Sequence, residues 1–364
     1  MNTVLIAGAS GLIGAAAVER FGRSPDWRVI GLSRRAPDAE TGRDYEHLSL
    51  DLTDAAACRG AADRFEPVTH VVYTALFEKP GLVPGWVEAD QMRTNEAMMR
   101  NLMEPLLERA KGLRHVGFLQ GTKAYGAHLH PIAIPARENR PRDKHDNFYW
   151  LQEDYIRGAQ AGSGWAFTIF RPQIVFGAAT GVAMNLIPII GAYAAICREL
   201  GLPFQCPGET RVLFEAVDAD LIAAALEWAS EDPSARNETF NITNGDVMVW
   251  QDAWPAIARA VGLEPAFGPP IALSEFLVDH ASDWDRIVHK HGLRPITMAE
   301  LVGQSHHYAD LIFQAGPYRG LGVSAFLVST IKLRQAGFAD CIDTEVMFAK
   351  HLARMAERGV IPAA

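Results

Sequence analysis

Two side chains could act together on a substrate oxygen, although they lie in separate stretches. Tyr149 sits in Asn147-Phe148-Tyr149-Trp150-Leu151-Gln152-Glu153-Asp154, after the polar loop from Arg137 to Asp146. Residues four apart share a helix face, so a lysine four positions on would sit beside the phenol and lower its pKa. Here that position holds Glu153, and a carboxylate beside a phenol raises its pKa. If Tyr149 acts, its cation must come from elsewhere. Lys123, in Gln120-Gly121-Thr122-Lys123-Ala124-Tyr125-Gly126, is the candidate; the plainer reading is a solvated lysine. A phenol with an ammonium nearby suits an oxygen that gains negative charge during reaction.

A second constellation would hold a nucleotide. Gly8, Ser10, Gly11, Leu12, Ile13 and Gly14 follow the apolar run Thr3 to Ala7 and open a helix-like segment, Ala15 to Phe21. A strand, a glycine turn and a helix in that order bring free backbone N–H groups up to a pyrophosphate. The next apolar run, Trp27 to Leu32, ends at Ser33-Arg34-Arg35. An acidic residue there would bind the ribose 2′-hydroxyl of NAD; a hydroxyl and two guanidinium groups suit the extra phosphate of NADPH. Asp51 either meets the adenine edge, with Leu52 packing on the ring, or serves as a helix cap for Thr53 onward.

The elements that must position these residues read as an α/β, Rossmann-like, doubly wound parallel sheet. Strands are expected at Tyr45 to Leu50, Thr69 to Thr74, His115 to Leu119 and Ala166 to Phe170. A long helix is expected over Val87 to Arg109 with a kink at Pro105, and another from about Phe148. Ligands of such sheets bind beyond the carboxyl ends of the strands. Ser10, Ser33 to Arg35, Asp51, Ala75 and Gln120 to Lys123 all fall there. Ile174, after Pro172, is either a backbone contact for the nicotinamide amide or plain core. Residues 1–177 form the dinucleotide-binding part, with 212–245 returning to it. Residues 178–211 and 246–364 are expected to be a smaller, mostly helical substrate-covering region, with the apolar stretch Asn185 to Leu200 as a lid.

Composition bounds the function. The 364 residues are 49% hydrophobic and 21% charged, which suits an ordinary globular enzyme with a real core. A formal net charge of −9 argues against nucleic acid as a partner. Four cysteines without metal or disulfide spacing point to no metal site and a reducing cytoplasm. The longest apolar stretch, Leu186 to Cys197, is too short to cross a bilayer. The aromatic residues of the second half fit core, pocket or a homodimer contact.

The chain resembles the progesterone 5β-reductase and iridoid synthase-like group of atypical short-chain dehydrogenases, in a bacterial-type form. The resemblance rests on Gly8-x-x-Gly11-x-x-Gly14, Ser33-Arg34-Arg35, Gly121-x-Lys123-x-Tyr125, Asn147-Phe148-Tyr149-x-x-x-Glu153-Asp154, Gly337-Phe338 and Asp343-Thr344. It implies NADPH-dependent reduction of a carbon–carbon double bond conjugated to a carbonyl, with Tyr149 and Lys123 in the catalytic positions and an apolar carbonyl compound as substrate. Gln120, Ala124 and Trp150 depart from the group's usual Thr, His and second Tyr. In sugar-modifying relatives of the fold a Ser or Thr stands where this chain has Gly121. Two other functions remain open on the same residues. One is a carbonyl reductase or sugar-type dehydrogenase using Tyr149; the other is a non-catalytic NADPH sensor.

Overall fold

The computed structural model describes residues 1–39, 42, 45–321 and 324–364. The first half contains β1 (Asn2–Ala7), α1 (Leu12–Arg23), β2 (Trp27–Ser33), β3 (Glu46–Ser49), α2 (Ala55–Gly60), β4 (His70–Tyr73) and α3 (Ala89–Arg109). It continues through β5 (His115–Leu119), α4 (Phe148–Gln160), β6 (Ala166–Pro172) and β7 (Ile174–Phe176). The second half adds α5 (Ile187–Leu200), β8 (Phe204–Gln205), β9 (Ala216–Asp218), α6 (Ala219–Glu231), β10 (Glu238–Ile242) and α7 (Trp250–Ala260). It closes with β11 (Pro265–Ala266), α8 (Leu273–Asp279), α9 (Ala281–His291), α10 (Met298–Val302), α11 (Ser305–Phe313), α12 (Ile331–Gln335) and α13 (Thr344–Glu357).

Seven strands form one parallel sheet in the order β10-β6-β5-β4-β1-β2-β3. The order reverses at β1, so connections run outward to both sides and leave a crevice at the carboxyl ends of β1 and β4. Side chains of a strand alternate between faces, and β1 shows the consequence. Val4 and Ile6 join a core built with α1 and α6, whereas Leu5 and Ala7 join one built with α3 and α4. Both faces of the sheet are therefore covered, as its near-continuous apolar strands require.

A third core holds the second half together, and α5 lies at its centre. Here the structure corrects the expectation of a lid over Asn185 to Leu200. Ile187 to Cys197 are all buried, and nothing between Ile187 and Leu200 reaches the cleft described below. A helix that is apolar all round is satisfied only inside a core. The chain also returns to the first half: β10 pairs with β6, and α6 packs on α1. The helix expected from Val87 starts at Ala89, with the turn Val83–Val87 before it, and carries Pro105 inside.

Candidate active site

One cleft of ≈ 1390 Å³ opens at the carboxyl ends of the strands. A pocket for one small ligand is about 300–1,000 Å³, so this volume has room for a dinucleotide and a substrate together. Gly8, Ser10, Gly11, Leu12 and Ile13 form one wall. Gly8 has φ +82°, and a Cβ there would come within 2.7 Å of the Ala75 nitrogen and 2.8 Å of its Cα. The turn is therefore clamped against the end of β4. Gly11 caps α1 with no side-chain hydrogen bond, which leaves the helix N–H groups for a ligand. Gly14 does not line the cleft; a Cβ on it would run into the Gly8 carbonyl oxygen, so it sets the close approach of α1 to the turn. A backbone cradle that tolerates no Cβ, at an uncapped helix start, fits a pyrophosphate.

Ser33, Arg34 and Arg35 line the same cleft at the end of β2. The Ser33 hydroxyl donates to the Arg35 carbonyl oxygen at 2.5 Å and shapes that turn. Among the described residues, neither guanidinium has a carboxylate partner within 4 Å. Asp51 and Leu52 line the cleft beside them. Asp51 Oδ1 accepts from the Thr53 N–H at 2.9 Å and its hydroxyl at 2.8 Å, and these bonds, with the Arg34 charge, hold its carboxyl below the usual range. The cap of α2 is Asp54, not Asp51. Ala75, Gln120 and Ile174 also line the cleft, Ile174 almost wholly buried.

Tyr149, from the start of α4, and Lys123, from the turn after β5, share this cleft. Asn147 caps α4: its Oδ1 accepts from the Tyr149 N–H at 3.0 Å, which places the phenol on the first turn. A Cβ on Gly121 would lie 3.2 Å from the Tyr149 hydroxyl, so the phenol occupies the space beside the usual Ser or Thr position. That hydroxyl has no hydrogen-bond partner among the described residues. Burial first, then the charge of Glu78, push its pKa above the ordinary phenol range. Glu153 is not among those causes. It turns away to Gln120 (2.8 Å), Arg157 (2.8 Å) and Arg142 (3.0 Å). Burial pushes the Glu153 carboxyl up, but those bonds outweigh it and the net shift is downward. Gln120 links this network to the strand below, accepting from Arg171 Nε at 2.7 Å.

Lys123 is not a solvated lysine. Its Nζ lies 4.0 Å from Glu78 Oε1 and 4.0 Å from the centre of the Trp86 ring. Burial pulls its pKa down to about 8, against the opposing pull of Glu78. The sequence reading missed Glu78, Trp86 and Tyr308. Glu78 follows β4 on the side where every other polar site residue falls, and that placement is the signal that could have found it. Tyr308 reaches the cleft from α11, and its phenol acts electrostatically on Tyr149. No spacing in the sequence points to it.

A model of the NAD dependent epimerase/dehydratase family matches residues 4–243. The (S)-8-oxocitronellyl enol synthase of Antirrhinum majus is 29% identical over 99% of this chain and 93% of its own. The 3-oxo-Delta(4,5)-steroid 5-beta-reductase of Arabidopsis thaliana is 30% identical over 93% of this chain and 87% of its own. Among solved structures, UDP-glucose 4-epimerase from Bifidobacterium longum, in complex with NAD+ and UDP, superposes with a TM-score of 0.68 at 15% identity, covering 99% of each chain. That likeness shows the fold.

Proposed function

Because the chain belongs to the NAD dependent epimerase/dehydratase family and, within it, to the progesterone 5β-reductase and iridoid synthase group, we propose that it is an NADPH-dependent reductase of carbon–carbon double bonds conjugated to a carbonyl. One observation carries the reading: the glycine turn, the arginine pair, Tyr149 and Lys123 all face a single cleft. The turn from Gly8 to Ile13 would hold the pyrophosphate, and Arg34 and Arg35 the 2′-phosphate. Bound NADPH supplies a hydride to the β-carbon of the substrate. Negative charge would then build on the carbonyl oxygen, until water protonates the enolate at its α-carbon and completes the saturated product. The Tyr149 hydroxyl, which has no hydrogen-bond partner among the described residues, donates a hydrogen bond to that oxygen as its charge grows. One such donor contributes roughly 3–4 kcal/mol to the transition state. Its raised pKa suits this role, because the phenol keeps its proton and stabilises an enolate without needing to ionise. Lys123 adds positive potential and orients either the phenol or the nicotinamide ribose.

The test is NADPH consumption with a panel of enones, enals, saturated ketones and aldehydes, followed by product analysis. Loss of the double bond with the carbonyl intact is the expected outcome. Alcohol products with the double bond retained would instead support a carbonyl reductase, and tight NADPH binding without turnover a sensor. Tyr149→Phe, at a residue that also borders the cofactor site, is expected to cut turnover by about 10²–10³-fold, far more than it weakens NADPH binding. Equal turnover in that variant would remove the phenol from the mechanism.

A further inference from the structure

Lys123 is held by two groups that no motif announces. The Glu78 side chain is 5% exposed and follows β4; its Oε2 accepts from Gln91 Nε2 on α3 at 2.6 Å. Its Oε1 faces the Lys123 ammonium and has no hydrogen-bond partner. On its other side the ammonium rests on the face of Trp86, a cation–π contact. Resting on the reading that Lys123 serves the reaction, we propose that Glu78 is the positioning residue for Lys123. With Trp86 it fixes the amine at one place in the cleft and keeps it in the ammonium form that a developing enolate needs.

The physical argument is one of competing fields. A lysine this enclosed loses its charge readily, because burial disfavours the ammonium. Glu78 opposes that loss from 4.0 Å. The other ionisable groups around the pair are few. His128, from the loop after Lys123, is pulled down to about 4 by burial and by the Lys123 charge, so it is neutral near pH 7. Tyr149 faces Glu78 from α4 with its phenol protonated. Burial pushes the Glu78 carboxyl above its ordinary range, and Lys123, Gln91 and Trp86 act against that shift in favour of the charged form. Glu78 is thus the carboxylate that acts on the ammonium. The same carboxylate discourages ionisation of Tyr149. One buried charge therefore opposes proton loss from the amine and adds to the burial that already keeps the phenol protonated.

The experiment is the pH dependence of kcat/KM with NADPH and a turned-over enone, for wild type, Glu78→Gln and Lys123→Met. Alongside it, the midpoint of Lys123 acetylation by trace acetic anhydride is read by peptide mass spectrometry. Wild-type activity should fall above about pH 8, with acetylation rising over the same range. Glu78→Gln keeps the shape and the amide contact to Gln91, so both midpoints should move down by about one pH unit or more. The two enzymes should converge near pH 6. A purely structural role would lower activity at every pH and leave the midpoints in place; that result overturns the proposal. Should Glu78→Gln fail to fold, Glu78→Asp, which draws the carboxylate back by one methylene, should give a smaller shift in the same direction, and no shift overturns the proposal equally. If Lys123→Met matches wild type at all pH values, the role of Lys123 itself fails, which is a separate outcome.

Discussion

Gly121 shows how little space the site leaves. A methyl group there would sit 3.2 Å from the Tyr149 hydroxyl, closer than such contacts normally lie. Gly121→Ala should therefore displace the phenol by a few tenths of an ångström. Because a misplacement of about 1 Å can cost about 10²-fold in rate, turnover should fall about tenfold with the stability unchanged, measured by steady-state kinetics and thermal melting. The arginine pair gives a second expectation. Arg34→Ala with Arg35→Ala should erase the proposed preference for NADPH over NADH, measured as the ratio of dissociation constants, since no other cation is proposed for the 2′-phosphate. Both features rest on residues read from the sequence. Glu78 was legible only by its place after β4, and Tyr308 not at all, because a phenol on a distant helix meets the site only through the fold. Glu153 was legible as a departure, but its partners only in part: Arg157 lies one turn further along the same helix, whereas Arg142, Arg171 and Gln120 come from other segments.

At the scale of elements, α4 is the part most directly tied to turnover. It carries Tyr149 in its first turn, and the Asn147 cap fixes that turn. Asn147→Ala should lower stability by about 1 kcal/mol, read from the denaturant midpoint, and should reduce turnover more than it weakens NADPH affinity. The strands and α4 could be read early because apolar runs ending in polar residues mark parallel strands, and an Asn before an apolar periodic run marks a helix start. The error over α5 has an equally physical origin. An apolar run of this length has the same appearance whether it faces a substrate or a core, and only the third core around it decides.

At the scale of the whole molecule, the carboxyl-terminal helix is pinned by charge to β9 and the start of α6. Asp218, fully buried at the end of β9, accepts from His351 at 2.9 Å and pairs with Lys350, both on α13; Lys350 also reaches Asp220, which Arg354 joins at 3.2 Å. Burial pushes both carboxyls up, but these partners more than offset it, and Asp220 falls to about 2. Carboxyls depressed in the folded state stabilise it above their ordinary pKa near 4, and that contribution is lost as pH falls toward 2. Acid unfolding should follow this window. Asp218→Asn should cost about 3–5 kcal/mol, as expected when one member of a buried pair is removed, and should flatten the acid dependence seen in chemical denaturation. The return of β10 to β6 and of α6 to α1 has a practical corollary. A fragment ending at Gly177 would have an open sheet edge and a bare greasy flank on its first helix. Such a piece should aggregate on expression, so any minimal autonomous unit built from this chain has to run at least through Ile242.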